Sequence, residues 1–230
     1  MIKLQNIIKS YRTTELETLA LNQVYLDIQQ GEFVAVMGPS GCGKSTLLNV
    51  VGMVDKADSG DYLFNERYIT QLKEYQLVEI RRQLLGFVFQ SFNLIDDLSV
   101  FENVELPLLY QRVPRAQRKL KVREVLELVG LEARTNHKPG QLSGGQQQRV
   151  AIARAVVTDP KLILADEPTG NLDSRNGDEI MDMLLTLNEQ GTTILMVTHS
   201  AENAAKAHRT IHMLDGQIET SVASTPVSAS

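Results

Sequence analysis

Phe33-Val34-Ala35-Val36-Met37-Gly38-Pro39-Ser40-Gly41-Cys42-Gly43-Lys44-Ser45 is the stretch that decides the fold. Its first five residues form a short apolar run ending at a glycine, the pattern of a buried strand. The next eight fit G-x-x-x-x-G-K-[ST] at every fixed position. Lys44 to Val54 then reads as a helix. Strand, glycine-rich loop and helix start, in that order, make a cradle for phosphate. The glycines let the chain curl so that successive N–H groups point inward, and the helix start adds its positive dipole end. Lys44 supplies a point charge for the β- and γ-phosphates, and Ser45 a hydroxyl for Mg²⁺. Cys42 sits among these N–H groups, which favour a thiolate. The alternative is that its side chain is incidental and only its backbone matters.

Outward from this loop, Leu162-Ile163-Leu164-Ala165 ends at Asp166, and Thr193-Ile194-Leu195-Met196-Val197 ends at Thr198-His199. Both read as buried strands. Between them, about Asn176 to Gln190 carries Ile180, Met181, Leu184, Leu185 and Leu187 at helical spacing. Strand, helix and strand imply a parallel sheet with a right-handed crossover. Roughly Ser91 to Val156 has a different character. Pro114 to Val129 places Val122, Val125, Leu126 and Val129 on one helical face, and Gly130 suits a helix stop. A helix-rich insert over about 91–156 is therefore expected between the first and second core strands. Ile2 to Ile8 and Leu21 to Ile28 alternate as strands of a smaller antiparallel sheet. The tail, Ser221 to Ser230, is rich in Ser, Ala, Thr and Pro and is expected to stay disordered.

The 230 residues include 23 basic and 28 acidic ones, a net charge of −5, which argues against a general nucleic-acid binder. A hydrophobic share of 43% excludes disorder as the main state. A single cysteine forbids an internal disulfide and a multi-cysteine zinc site, and suits a reducing, cytoplasmic setting. No run reaches the roughly 18 apolar residues of a membrane helix, nor does the N-terminus resemble a signal peptide. Work at a membrane is expected to need another chain to span it.

Asp166 and Glu167 follow the second buried strand, at the sheet edge where ligands of α/β proteins bind. There Asp166 is placed to hold Mg²⁺ and Glu167 to polarise an attacking water. Taken alone, Asp166-Glu167-Pro168 reads equally as a polar turn. His199 ends the third strand, in position to donate to a γ-phosphate oxygen or to serve as a structural histidine.

A second glycine-rich helix start, Leu142-Ser143-Gly144-Gly145-Gln146, precedes Gln147-Gln148-Arg149-Val150-Ala151-Ile152-Ala153-Arg154-Ala155. It is another ready-made anion site. With the phosphate loop and Asp166-Glu167 in this order, the chain resembles the ATP-binding cassette (ABC) family of ATPases over about residues 2 to 219. The resemblance implies an α/β P-loop core with a mostly parallel sheet, a small antiparallel β subdomain and an inserted α-helical subdomain, over about residues 1–220. It implies ATP and Mg²⁺ as ligands, held by Gly38, Pro39, Ser40, Gly41, Cys42, Gly43, Lys44, Ser45 and Thr46, with Tyr11 stacked on adenine. Gln90 looks like the Q-loop glutamine that senses Mg²⁺ and faces the membrane partner. Asn171-Leu172-Asp173 looks like the D-loop, and His199 like the switch histidine. In the family two cassettes sandwich two ATP molecules, so Ser143, Gly144, Gly145 and Gln146 cover nucleotide on the partner's loop, together with Asp173. Glu167, His199, Lys44 and Gln90 are the expected catalytic group, and Ser45, Gln90 and Asp166 the expected metal ligands.

Gly170-Asn171-Leu172-Asp173-Ser174, Leu85 to Ile95 and Glu102 to Leu108 resemble the macrolide-exporter and lipoprotein-release branch. The implied partners are a second copy on ATP binding and a separate permease with few membrane helices and a large extracytoplasmic domain; a periplasmic adaptor accompanies some such systems. The implied location is the cytoplasmic face of the inner membrane. Asp96 and Asp97, with Leu94, Ile95 and Leu98, are candidate permease contacts, or a solvated loop. A soluble cassette and a cell-division-type signalling cassette are the alternatives. Ser200 stands where the family commonly has an acidic residue, and Cys42 where serine is commoner.

Overall fold

The computed structural model describes residues 1–12 and 17–223. Its elements in chain order are β1 (Ile2–Arg12), β2 (Glu17–Ile28), β3 (Phe33–Met37), α1 (Lys44–Val51), β4 (Ser59–Phe64), β5 (Arg67–Tyr68), α2 (Glu74–Leu84), β6 (Leu85–Phe89), α3 (Val100–Tyr110), α4 (Arg115–Leu128), α5 (Gly144–Val156), β7 (Leu162–Asp166), α6 (Ser174–Glu189), β8 (Thr193–Val197), α7 (Ala201–Ala205), β9 (Arg209–Leu214) and β10 (Gln217–Ala223). They form two compact units, Met1–Val78 with Thr193–Ser230, and Glu79–Thr192.

In the first unit β2, β1, β4 and β5 lie side by side in one antiparallel sheet. Ile2, Leu4, Ile7, Val24, Leu26 and Ile28 are buried. Strand β1 alternates to Leu4 and keeps Ile7 inside through an irregularity at Asn6, whose φ is 55°. A second set of strands runs β10, β9, β3, β8. Here β3 is parallel to both β8 and β9, with Val36 opposite Val197 and Ile211. Phe33 to Val36 are fully buried, which is why the run carries no polar residue. The parallel register makes β3 and β8 end at one edge: Thr198 N–H donates to the Val36 carbonyl at 3.1 Å. The phosphate loop and His199 leave from that edge.

The second unit pairs β6 with β7 in parallel, from Leu85 opposite Leu162 to Phe89 opposite Asp166. Gln90 and Glu167 therefore leave the two strands side by side. Around them α3, α4 and α5 share a core of Val100, Val104, Leu108, Val122, Leu126, Val150 and Ala153, each at most 1% exposed. Gly86 lies where β6 meets α5, and a Cβ there would stand 2.6 Å from the Ala155 carbonyl oxygen, a backbone atom that cannot step aside. Gly86→Ala is expected to destabilise the chain by about 1–3 kcal/mol through overpacking. At roughly 2–4 °C per kcal/mol, thermal unfolding followed by circular dichroism should shift down by several degrees; an unchanged midpoint contradicts the packing argument.

Several expectations need correction. The helical insert does not follow the first core strand directly, because β6 (Leu85–Phe89) is a further core strand ahead of it. The sheet also gains β9, disguised in sequence by Arg209 and His212. Arg209 pairs with Glu32 through Nε–H, and His212 lies on the exposed face of the strand. Helix α1 stops at Val51, not Val54, because Met53 adopts a left-handed φ of 57°. The chain expected as tail from Ser221 continues instead as strand: Ser221, Val222 and Ala223 pair with Ile211, Thr210 and Arg209. An available edge strand overrides weak local propensity. The rest of that tail, 224–230, lies outside the described residues.

Candidate active site

The phosphate loop is shaped by close approaches that only glycine allows. At Gly43, φ is 102°, and a Cβ would stand 2.2 Å from the Ala20 carbonyl oxygen; at Gly38 it would stand 2.1 Å from that of Met213. Gly43 is also the N-cap of α1, and it brings no capping side chain. The contrast with other helices is informative. Ser99, Ser143, Asp173 and Ser200 cap α3, α5, α6 and α7 through their side chains. The start of α1 lacks such a cap and has no acidic residue in its first turn. Its N–H groups are left for an anionic ligand.

Lys44 is 6% exposed, and its ammonium donates to the carbonyls of Gly38 at 2.9 Å and Pro39 at 2.8 Å. These bonds fold the side chain across the loop, so its charge is held over the cradle before any ligand arrives. Cys42 is buried, its sulfur 3.9 Å from Lys44 Nζ and its carbonyl accepting from Gly216 N–H. Ser45 is exposed and Thr46 half-buried at the start of α1.

Tyr11 is 41% exposed, so part of its ring stands in solvent. Its hydroxyl donates to Asp55 at 2.8 Å, and Lys9 Nζ lies 5.2 Å from the ring centroid. Burial and the bond to Asp55 raise the phenol's pKa. Burial pushes the Asp55 carboxyl up, but the bonds from Lys9 and Tyr11 outweigh it and leave it lowered. Lys9 and Asp55 thus anchor the tyrosine, a role the sequence did not betray. His199 is exposed just beyond β8. Ser200 caps α7 by accepting from Asn203 N–H at 3.2 Å, a role its hydroxyl fills in place of an acidic residue.

In the second unit, Asp166 and Glu167 are half-buried at the end of β7. Glu167 holds a left-handed φ of 48°. For a non-glycine residue that costs about 1–2 kcal/mol and needs a surrounding structure to enforce it. Gly170 N–H donates to the Glu167 carbonyl at 3.0 Å, closing the turn. Gln90 and Asn171 form a reciprocal pair: Gln90 Nε2 donates to Asn171 Oδ1 at 3.1 Å, and Asn171 Nδ2 to the Gln90 carbonyl at 3.0 Å. The carbonyl accepts only, so it fixes which end of each amide is nitrogen and leaves Gln90 Oε1 as the outward acceptor.

At the second glycine-rich helix start, Ser143 Oγ accepts from Gln146 N–H at 3.3 Å, and Gln146 Oε1 accepts from Ser143 N–H at 3.0 Å. This capping box pre-shapes the first turn of α5. Gly145 packs against Asn176, whose Oδ1 a Cβ there would approach to 2.2 Å. Asp173 accepts from the backbone and side chain of Asn176, which lowers its pKa. Gln148 is fully buried, and its Nε2 donates to the Pro168 carbonyl at 2.6 Å. Its Oε1 is buried with no hydrogen-bond partner among the described residues, at a typical cost of about 1–3 kcal/mol. Neither Gln148 nor Asn103 was legible as a positioning residue. Asn103, also fully buried, donates to the carbonyls of Ile95, Leu98 and Ser99 and accepts from Ile95 N–H. It thereby shapes the loop that displays Ile95, Asp96 and Asp97.

Each unit thus gathers part of the expected set: Tyr11, 38–46 and His199 in the first, Gln90, 143–146, Asp166, Glu167 and Asp173 in the second. Comparison with known proteins gives this set its class. Residues 21–170 match the family model described as ABC transporter. The chain belongs to that family and is one of its ATPase cassettes. It is 49% identical over 224 residues to the ABC transporter ATP-binding protein MJ0796 of Methanocaldococcus jannaschii, covering 95% of each. It is 48% identical over 218 residues to the macrolide export ATP-binding/permease protein MacB 1/2 of Paracoccus denitrificans, covering 95% of this chain but only 33% of that protein. The dimeric structure of MJ0796 in a post-hydrolysis state, bound to ADP and Pi, superposes with a TM-score of 0.91 at 46% identity, over 98% of this chain and 99% of that one. The fold is accordingly the α/β P-loop cassette, with a mostly parallel core sheet, an antiparallel subdomain and inserted helices.

Proposed function

We propose that this cassette binds ATP with Mg²⁺, dimerises around it, and uses its hydrolysis to drive a membrane permease, in export or in transmitting motion across the membrane. The observation that carries this reading is the pair of glycine-rich helix starts on one chain, at 43–45 and 143–146. One such start leaves a γ-phosphate half covered. Two, contributed by two copies, enclose it. The dimeric MJ0796 structures and the macrolide-export relatives support the same reading.

Roles follow from chemistry. Lys44 and the open N–H groups of α1 hold the β- and γ-phosphates, and Tyr11 offers its exposed ring to the base. Ser45, Asp166 and Gln90 Oε1 are hard oxygen donors, the set Mg²⁺ prefers; a Mg²⁺ site completed by phosphates needs few protein ligands. Bound there, Mg²⁺ neutralises charge on the phosphate oxygens. Glu167 accepts a hydrogen bond from the attacking water and orients it in line with the γ-phosphate, while His199 donates to a γ-oxygen. Ser143 and Gly145 cover the nucleotide held by the partner copy, making hydrolysis conditional on closure. A domain of about 1–220 with its helical insert at about 91–156 serves this cycle.

No helix among the described residues is long and apolar enough to cross a membrane. The loop shaped by Asn103 and the exposed Ile95 offers a surface for the permease, which would place the cassette at the cytoplasmic face of the inner membrane, with a periplasmic adaptor in exporters of this kind. The test is a pull-down from detergent-solubilised membranes of the native host. Tagged Glu167→Gln protein with Mg-ATP is compared with Lys44→Ala. A membrane protein enriched only by the first bait is the expected result. Soluble partners alone, in repeated trials, transfer the assignment to a soluble or signalling cassette.

A further inference from the structure

We propose that Gln148 is a positioning residue for the hydrolytic step: its amide holds the turn that aims Glu167. Three consecutive glutamines follow the second glycine-rich turn, and they do different things. Gln146 folds back to cap its own helix at Ser143. Gln147 donates to the Leu142 carbonyl at 3.2 Å, again within its own segment. Gln148 alone of the three leaves the helix, and its Nε2 reaches the Pro168 carbonyl at 2.6 Å. Pro168 is the residue after Glu167, whose φ of 48° is unfavourable for a glutamate. Such a conformation persists only where neighbours enforce it. Two bonds converge on this turn, from Gln148 to the Pro168 carbonyl and from Gly170 N–H to the Glu167 carbonyl.

The burial of Gln148 argues that the amide is kept for this contact. It is fully buried, yet only its nitrogen is satisfied, and Oε1 has no partner among the described residues. A carbonyl at 2.6 Å demands a donor, so the amide cannot turn over to relieve the oxygen. An apolar side chain of similar length would fill the space without that penalty. A position that forgoes this gain is better explained by what it holds than by packing.

This inference rests on the reading of Glu167 as the residue that orients water, and its test separates the two. Gln148→Met keeps length and volume but removes the donor. Expected are a fall in kcat of about 10- to 100-fold, a KM for ATP within about twofold of wild type, and a melting midpoint within about 3 °C. The decisive step is a double-mutant cycle. Added to Glu167→Gln, Gln148→Met should lower the residual rate no further, because it acts only through Glu167. Gln148→Asn, which keeps an amide one methylene short of Pro168, should behave in the same way and serves if the methionine variant does not fold. Unchanged kcat in Gln148→Met, effects that multiply in the double mutant, or a large loss of midpoint in both variants overturns the proposal. Wild-type turnover by Glu167→Gln alone instead removes the reading of Glu167.

Discussion

Glu167→Gln is expected to slow ATP hydrolysis by about 10²- to 10⁴-fold while leaving ATP binding intact. The amide has the carboxylate's shape, so the turn at φ 48° and its bond to Gly170 N–H should survive. What changes is the charge that draws a proton from water. Binding is expected to be carried elsewhere, by Lys44 and the start of α1. The variant should therefore collect in its ATP-bound form and elute from gel filtration as a dimer with Mg-ATP, but as a monomer with ADP. Single-turnover assays of phosphate release and size-exclusion chromatography measure the two halves separately. Slow turnover without dimer keeps Glu167 as the base and removes the sandwich. Unimpaired turnover removes Glu167.

Lys44→Ala should act on the other half of the cycle, raising the Kd for ATP by about 100-fold or more. Charge-assisted hydrogen bonds are worth about 1.5–3 kcal/mol each; two of the ammonium's three donors reach the Gly38 and Pro39 carbonyls, which leaves one, beside the charge itself, for a phosphate oxygen. The loss exceeds that bond, because Lys44 also ties Gly38 to Pro39 through their carbonyls. Without it the cradle is less well ordered before ligand arrives. Fluorescence titration with a labelled ATP analogue reads the effect directly. Stability should fall little, since the carbonyls of the half-exposed Gly38 and the exposed Pro39 can return to water. Lys44→Arg retains the charge in a broader, planar group and should recover only part of the affinity. Tight binding by Lys44→Ala would falsify the phosphate-loop assignment.

The parts of the molecule legible in the sequence are those under the strictest local constraint. A strand buried on both faces favours apolar residues, so β3, residues 162–165 of β7 and residues 194–197 of β8 announce themselves as apolar runs. The phosphate loop needs glycine where the backbone passes 2.1–2.2 Å from a would-be Cβ, which fixes its pattern. Strand β9 was hidden because Arg209 and His212 interrupt its apolar pattern, and Arg209 finds its partner, Glu32, far away in sequence. Strand β6 is as apolar as β3, but it is followed by no motif that demands a strand before it.

The class of chemistry is readable along the chain: a phosphate cradle, a carboxylate pair at a strand end, and a second glycine-rich helix start, in an order that few folds need. Local covalent geometry imposes each of these, so each leaves a local trace. How those groups are held follows from contacts that form only on folding. The lowering of Asp55 by Lys9 and Tyr11, the Gln90–Asn171 pair that leaves Gln90 Oε1 outward, and the bond from Gln148 to the Pro168 carbonyl all join residues distant in the chain. Hydrogen bonds and burial between such residues depend on where the backbone returns, and no spacing rule along the chain encodes that.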